Sequence, residues 1–184
     1  LNIESSISSN GRNYTVTEIA TWAFNKCNTL TEVTLPNTVD EIGYQAFFNC
    51  SNLTNVTIPE GVTKIGQAAF YGCSQLTSIT IPSTITDMDT AFSGNTALSQ
   101  VTLTNGIPKI SSHAFERCTE LREIKVPISV DEICPFAFNG CTGLTSVTLE
   151  KGINIININA FKDCTNLSDV KYNGHKTDWE KVRV

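Results

Sequence analysis

No stretch of this 184-residue chain is apolar for long enough to span a bilayer, so the sequence offers no membrane-inserting segment. Charge is scarce too: Asp, Glu, Lys and Arg make up 17% of residues, and the net charge is −5. An acidic chain without basic clusters is a poor match for nucleic acid or an anionic membrane surface. There are two histidines, His113 and His175, and one methionine. Cys-x-x-Cys pairs and Gly-rich phosphate loops are missing, which removes the usual sequence support for metal centres and nucleotide chemistry. The chain opens on Leu1 without Met and without a basic segment leading into an apolar one. A mature or trimmed form is therefore expected. What fills the space is Thr, Ser and Asn, beside an ordinary hydrophobic fraction of 40%.

The polar residues are not scattered. An Ala-Phe pair falls at 23–24, 46–47, 69–70, 91–92, 114–115, 137–138 and 160–161, in steps of 23, 23, 22, 23, 23 and 23. Leu recurs in the same rhythm at 30, 53, 76, 98, 121, 144 and 167. Val or Ile follows at 33, 56, 79, 101, 124, 147 and 170, then Leu35, Ile58, Ile81, Leu103, Val126 and Leu149. A fixed period of this size signals a stack of like units. Pieces such as "VTLP" and "ITIP" alternate apolar with polar and are rich in β-branched residues, which predicts a short, half-buried strand. Pro36, Pro59, Pro82 and Pro127 sit where a lost N–H ends pairing harmlessly. The stretch from Ile to Ala-Phe-x-x-Cys spaces apolar residues at i, i+4 and i+5, which predicts one or two turns of α- or 3₁₀-helix. One such unit buries too little to hold itself together; neighbours covering both open faces make the array stable.

Together these columns read Leu-x-x-Val/Ile-x-Ile-Pro-x-x-Val-x-x-Ile-Gly-x-x-Ala-Phe-x-x-Cys. The pattern resembles the BspA-like, or treponemal-type, leucine-rich repeat over about Thr15 to Val170, and the terminal "YNGHKTDW" is similar to a closing segment common in such proteins. The resemblance implies an α/β solenoid: a right-handed array of about seven 23-residue repeats, each a short β-strand plus a short helical turn. It also implies a secreted or cell-surface protein of bacterial origin that adheres to host matrix or cell-surface proteins. One domain, 1–184, is expected. Residues 1–14, with Asn10-Gly11 between strand-like flanks, would form a hairpin cap. Residues 15–170 would hold the repeats, and 171–184, with Trp179 and Val182, a C-terminal cap. Asn95 replaces the repeated Cys in repeat four, which is also one residue short between Met88 and Ala91. An irregularity is expected at 88–95.

Seven cysteines invite chemistry, and six share one column: 27, 50, 73, 118, 141 and 164. Stacked rungs about 4.8 Å apart would permit disulfides by distance. Buried thiols acting as small hydrophobes are the better reading, because like residues on successive rungs project in parallel and give no tetrahedral set for a metal. His113 takes an outward column, and Cys118 beside it shows no sign of activation. The carboxylate pairs Asp40-Glu41 and Asp131-Glu132 read as solvated charges. No catalytic residue, metal or cofactor is expected. Five Asn-x-Ser/Thr triplets (Asn13, Asn49, Asn52, Asn55 and Asn166) are what a Thr- and Asn-rich repeat yields by composition.

Surface columns remain. Between the inward strand residues lie Glu32, Thr34, Asn55, Thr57, Ser78, Thr80, Gln100, Thr102, Glu123 and Lys125, with Ser146, Thr148, Asp169 and Lys171 beyond them. Such a row is either an ordinary exposed strand face, for which Thr is well suited, or a polar ladder that binds an extended protein or a glycan. Aromatic platforms are missing from it, which favours protein. A second candidate is the pair Phe48 and Tyr71, neighbours in one outward column, which either anchors a partner or packs over nearby loops. The function expected is non-catalytic protein binding or adhesion, with a glycan-binding module or a passive spacer as alternatives.

Overall fold

β-Branched inward residues alternating with polar outward ones produce short strands. In the computed structural model, which describes residues 1–184, they span Glu32–Thr34, Asn55–Thr57, Ser78–Ile81, Gln100–Leu103, Glu123–Val126, Ser146–Leu149 and Asp169–Tyr172. Adjacent strands run parallel and pair one repeat apart: Thr34 opposite Thr57, Thr80 opposite Thr102, Lys125 opposite Thr148. Hydrogen bonding links them in three groups, over 32–57, 78–103 and 123–172. The chain makes a solenoid of about seven turns.

A second parallel ladder follows the Val-x-x-Ile pieces and has no counterpart in the sequence-based reading. Glu18–Ile19, Glu41–Ile42 and Lys64–Ile65 pair in succession, as do Lys109–Ile110, Glu132–Ile133 and Ile155–Ile156. Between these trios only a single bridge joins Lys64 to Asp87. The gap falls in repeat four, where the chain is short between Met88 and Ala91. The lapse is confined to this ladder: the turns of repeat four still bond both neighbours, Phe70 N–H donating to Ala91 and Phe92 N–H to Ala114, each at 2.9 Å.

The helical turn expected in each repeat is not formed, and this corrects the α component of the fold. The one helix is Lys176–Trp179. Each Ala-Phe segment is instead a string of β-turns. Within repeat two, Ala46 N–H donates to Gly43, Phe48 N–H to Gln45, and Cys50 N–H to Phe47, each at 3.2 Å. The alternate donors Gln45, Phe47 and Asn49 cross to carbonyls of Gln67, Ala69 and Tyr71 on the next rung, at 3.1, 2.7 and 2.7 Å. A helix keeps all its interior N–H groups to itself; here half of them bond the neighbour. Two residues per repeat sit at φ between +51° and +75°, Gln45 and Asn49 or His113 and Arg117 for example, the sign that the third position of a type II turn requires. Side chains other than glycine pay roughly 1–2 kcal/mol there. The bonds between rungs hold them in place.

Inside, 44 buried residues form one continuous cluster. Its axis is a column of phenylalanines, Phe24, Phe47, Phe70, Phe92, Phe115, Phe138 and Phe161, stacked with centroids 5.0–5.7 Å apart. Phe24 and Phe161 are only half-buried, because each lacks a neighbour on one side. At the first turn, Leu1–Ile3 bonds to the Glu32–Thr34 strand, Ile3 N–H donating to Thr34 at 3.1 Å. The hairpin Ser6–Ser9 with Arg12–Thr15 then intervenes before Val16, with all eight strand residues exposed. At the last turn, Trp179 lies against Tyr172, with centroids 5.2 Å apart, and Arg183 bridges to Ile155.

Candidate functional site

Three long surfaces result: the strand ladder, the short ladder and the turn ladder. On the first, Glu32, Thr34, Asn55, Thr57, Ser78, Thr80, Gln100, Thr102, Glu123 and Lys125 are all exposed and lie on one face. That face is not uniform. Where hydrogen bonding lapses between Gln100–Leu103 and Glu123–Val126, a depression opens between Val101, Glu123, Ile124, Lys125, Ser146 and Thr148. Beside it, past the strand ends, lies an apolar hollow of ≈ 350 Å³ lined by Leu103, Val126, Pro127 and Ile128, with Asn105, Lys125 and Glu150 at its rim. Ile128 is 45% exposed. Lys125 borders both, so the polar row runs directly into an apolar socket flanked by one cation and one anion.

The repeated cysteine is explained by packing. All seven thiols are free. Five of them donate Sγ–H to the carbonyl of a phenylalanine one rung back: Cys50 to Phe24 (3.0 Å), Cys73 to Phe47 (3.2 Å), Cys118 to Phe92 (3.4 Å), Cys141 to Phe115 (3.1 Å) and Cys164 to Phe138 (3.1 Å). A thiol thus fills a methyl-sized space and adds a weak hydrogen bond there. Burial pushes the Cys141 thiol up to about 12 and that of Cys50 to about 11. Thiols so disfavoured as thiolates are poor nucleophiles.

The other chemistry-bearing residues are dispersed. His113 Nδ1 lies 2.9 Å from Glu116 Oε2, and its ring stacks on Phe136 with centroids 5.0 Å apart. Cys118 points away from this pair, into the core. Glu41 pairs with Lys64 at 2.6 Å, and that bond raises the lysine's pKa. Glu132 accepts from Asn157 Nδ2 at 2.7 Å. No three metal-ligating side chains converge.

Phe48 and Tyr71 stack on the turn ladder with centroids 5.1 Å apart and planes 9° from parallel. Each is half-buried by this contact, so packing accounts for part of their presence. The more exposed aromatics nearby are Trp22 at 58% and Tyr44 at 40%, which the sequence reading passed over. The signal was present: on the neighbouring rungs Trp22's column holds the smaller Gln45 and Ala68, and the core does not call for an indole there.

Comparison with known proteins decides the family. The family profile described as "BspA type Leucine rich repeat region" matches residues 3–91 and 88–181, with six copies of the repeat. The chain belongs to the BspA-type leucine-rich-repeat family. Among solved structures it resembles a leucine-rich-repeat protein from Eubacterium ventriosum, with TM-score 0.75 and 25% identity over 94% of this chain and 51% of that one. The Treponema pallidum leucine-rich-repeat protein gives TM-score 0.63 and 28% identity over 96% of this chain and 70% of that one. One from Bacteroides capillosus is 38% identical over 56% of this chain and 75% of that one, with TM-score 0.52. This chain therefore spans about half the length of the Eubacterium relative. No curated protein matches it. BspA-type solenoids of this kind are scaffolds that serve interaction more often than catalysis. No helix is long and apolar enough to cross a membrane.

Proposed function

We propose that this BspA-type chain is a non-catalytic interaction module displayed at the cell surface or secreted, and that it adheres to a host matrix or cell-surface protein. It acts as one unit over residues 1–184, with repeats at 15–170 and the segments 1–14 and 171–184 closing the ends. One observation carries the reading: the strand face runs into the apolar socket of Leu103, Val126, Pro127 and Ile128 beside Lys125 and Glu150. An extended polypeptide laid across Gln100, Thr102, Glu123 and Lys125 would find polar partners along its backbone. It would seat one apolar side chain in the socket, the anchor-in-pocket pattern of protein interfaces. The flanking charges set its orientation. Kinship with bacterial leucine-rich-repeat proteins supports the surface location.

The test is binding of the purified protein to immobilised fibronectin, laminin and collagen. Lys125→Glu and Ile128→Asp should each weaken capture by about thirtyfold or more, the scale of a hot-spot loss, while melting stays unchanged. Capture indifferent to both substitutions would overturn the strand-face assignment.

A further inference from the structure

The turn ladder of the first two repeats carries a feature that neither the core nor the strand face explains. Trp22 and Tyr44 occupy adjacent rungs, with Trp22 N–H bonded to the Tyr44 carbonyl at 3.0 Å. Their rings meet edge to face, centroids 6.1 Å apart and planes at 67°. Both stand well out of the protein. The indole is not free to swing: its Nε1–H donates to Gln45 Oε1 at 3.0 Å. Trp22 moreover sits at φ +60°, a conformation that a bulky side chain adopts at a cost. That conformation is common to the whole column, from Gln45 to Phe136, and belongs to the fold; what is particular to Trp22 is a large ring left 58% exposed.

The surroundings narrow what it meets. On the first three rungs the two columns hold, besides these rings, Thr21, Gln45, Gln67 and Ala68, none of them charged; the first carboxylate, Asp89, stands on the fourth rung. No aliphatic socket adjoins the rings, unlike the hollow beside Ile128. Gln45 spends its carbonyl oxygen on the indole, which leaves its amide N–H₂ to donate elsewhere, and the Tyr44 hydroxyl has no partner within the protein. An aromatic ring has an electron-rich face. The matching ligand surface carries weakly positive C–H bonds on its flat side and hydroxyls at its rim. That is a pyranose ring. An angled pair of rings with neutral amide and hydroxyl donors suits it better than a peptide, whose recognition calls for an apolar pocket or backbone pairing.

We propose that Trp22, Tyr44 and Gln45 form a carbohydrate-binding platform for β-1,4-linked pyranose chains, whose ribbon-like form turns a C–H face to either side. Trp22 stacks on one sugar face, Tyr44 lies against the same or the next ring, and the Gln45 amide donates to a hydroxyl. The platform lies in the first two repeats, whereas the proposed protein-binding socket lies between residues 103 and 150, so the two are separable by mutation.

The experiment is calorimetric titration of the full chain with cellohexaose, xylohexaose and chitohexaose. Saturable binding to at least one is expected. Trp22→Ala and Tyr44→Ala should each weaken it at least about tenfold, in line with losses measured when an aromatic stacking platform is removed. Trp22→Phe should retain more affinity than Trp22→Ala, and Lys125→Glu should change nothing. Failure of all three oligosaccharides to bind, or binding untouched by Trp22→Ala, overturns the proposal. So does a result in which Trp22→Ala abolishes capture by a matrix protein while no sugar binds, since the platform is then a protein contact.

Discussion

Asn95 offers a sharp test of how this solenoid is held together, because it interrupts the cysteine column in the middle of the stack. It is completely buried, and neither its amide nitrogen nor its amide oxygen has a hydrogen-bond partner in the protein. On other rungs the equivalent thiol donates to the phenylalanine carbonyl one rung back. At this level that carbonyl belongs to Phe70, whose one bond is a long 3.5 Å contact from Cys73 N–H. Asn95→Cys removes the stranded amide and supplies the missing donor. Leaving a polar group buried and unpaired costs about 1–3 kcal/mol, so the substitution should stabilise by about that amount. For a chain of this length, each kcal/mol moves the melting temperature by roughly 2–4 °C. The gain should therefore fall between about 2 and 12 °C. Urea denaturation followed by far-ultraviolet circular dichroism, under reducing conditions, reads it as a raised midpoint at constant slope. Asn95→Ala, which removes the amide but leaves a gap, should fall between the two. A midpoint for Asn95→Cys at or below that of the parent would refute the reasoning. It would mean that the amide is paired, or that the short repeat cannot seat a thiol.

Other consequences follow from the same geometry. Phe92→Ala removes a fully buried ring stacked at 5.4 and 5.7 Å on both sides, and should cost about 3–5 kcal/mol; Phe161→Ala, at a half-buried end, should cost visibly less in the same urea experiment. Alkaline stability should fall as pH rises. The Cys141 thiol ionises near its usual value when unfolded but only at about 12 when folded, so above pH 9 the unfolded state alone loses its proton, and a thiol held neutral in this way destabilises the fold by up to about 1.4 kcal/mol per pH unit. A melting temperature flat from pH 9 to 11 would contradict this. Native protein at pH 8 should leave Cys73, Cys118 and Cys141 unlabelled by a thiol reagent that titrates all seven after unfolding; rapid native labelling at these three would show that the column is not closed. Phe48→Ala with Tyr71→Ala breaks a half-buried stack and should lower stability by about 0.5–1.5 kcal/mol beyond the lost burial, measurable by the same melts.

How much of this was legible beforehand depends on whether a feature repeats. The Leu30, Val33 and Phe47 columns recur at a fixed step, so register, inward faces and the exposed row from Glu32 to Lys125 could be read from spacing alone. The missing residue between Met88 and Ala91 was visible for the same reason, and it does interrupt the short ladder. The turn chemistry was not visible. Ile42, Ala46 and Phe47 are spaced as on a helix, and periodicity alone does not separate a helix from consecutive β-turns. Glycines do stand at three left-handed positions of the turn ladder, Gly72, Gly94 and Gly140, but the others hold side chains such as Gln45, Asn49, Ala68, His113 and Phe136. Their conformation is imposed by hydrogen bonds to the next rung, and a local sequence window contains no trace of them. The same limit hid the two-residue strands such as Glu41–Ile42, which exist only because another rung lies alongside. Trp22 and Tyr44 were missed for a different reason: attention to columns finds what recurs, and a ligand-facing ring is informative because it does not. In a repeat protein, the departures from the period in exposed columns are therefore the places to look for function, and Trp22, Tyr44 and Ile128 are three of them.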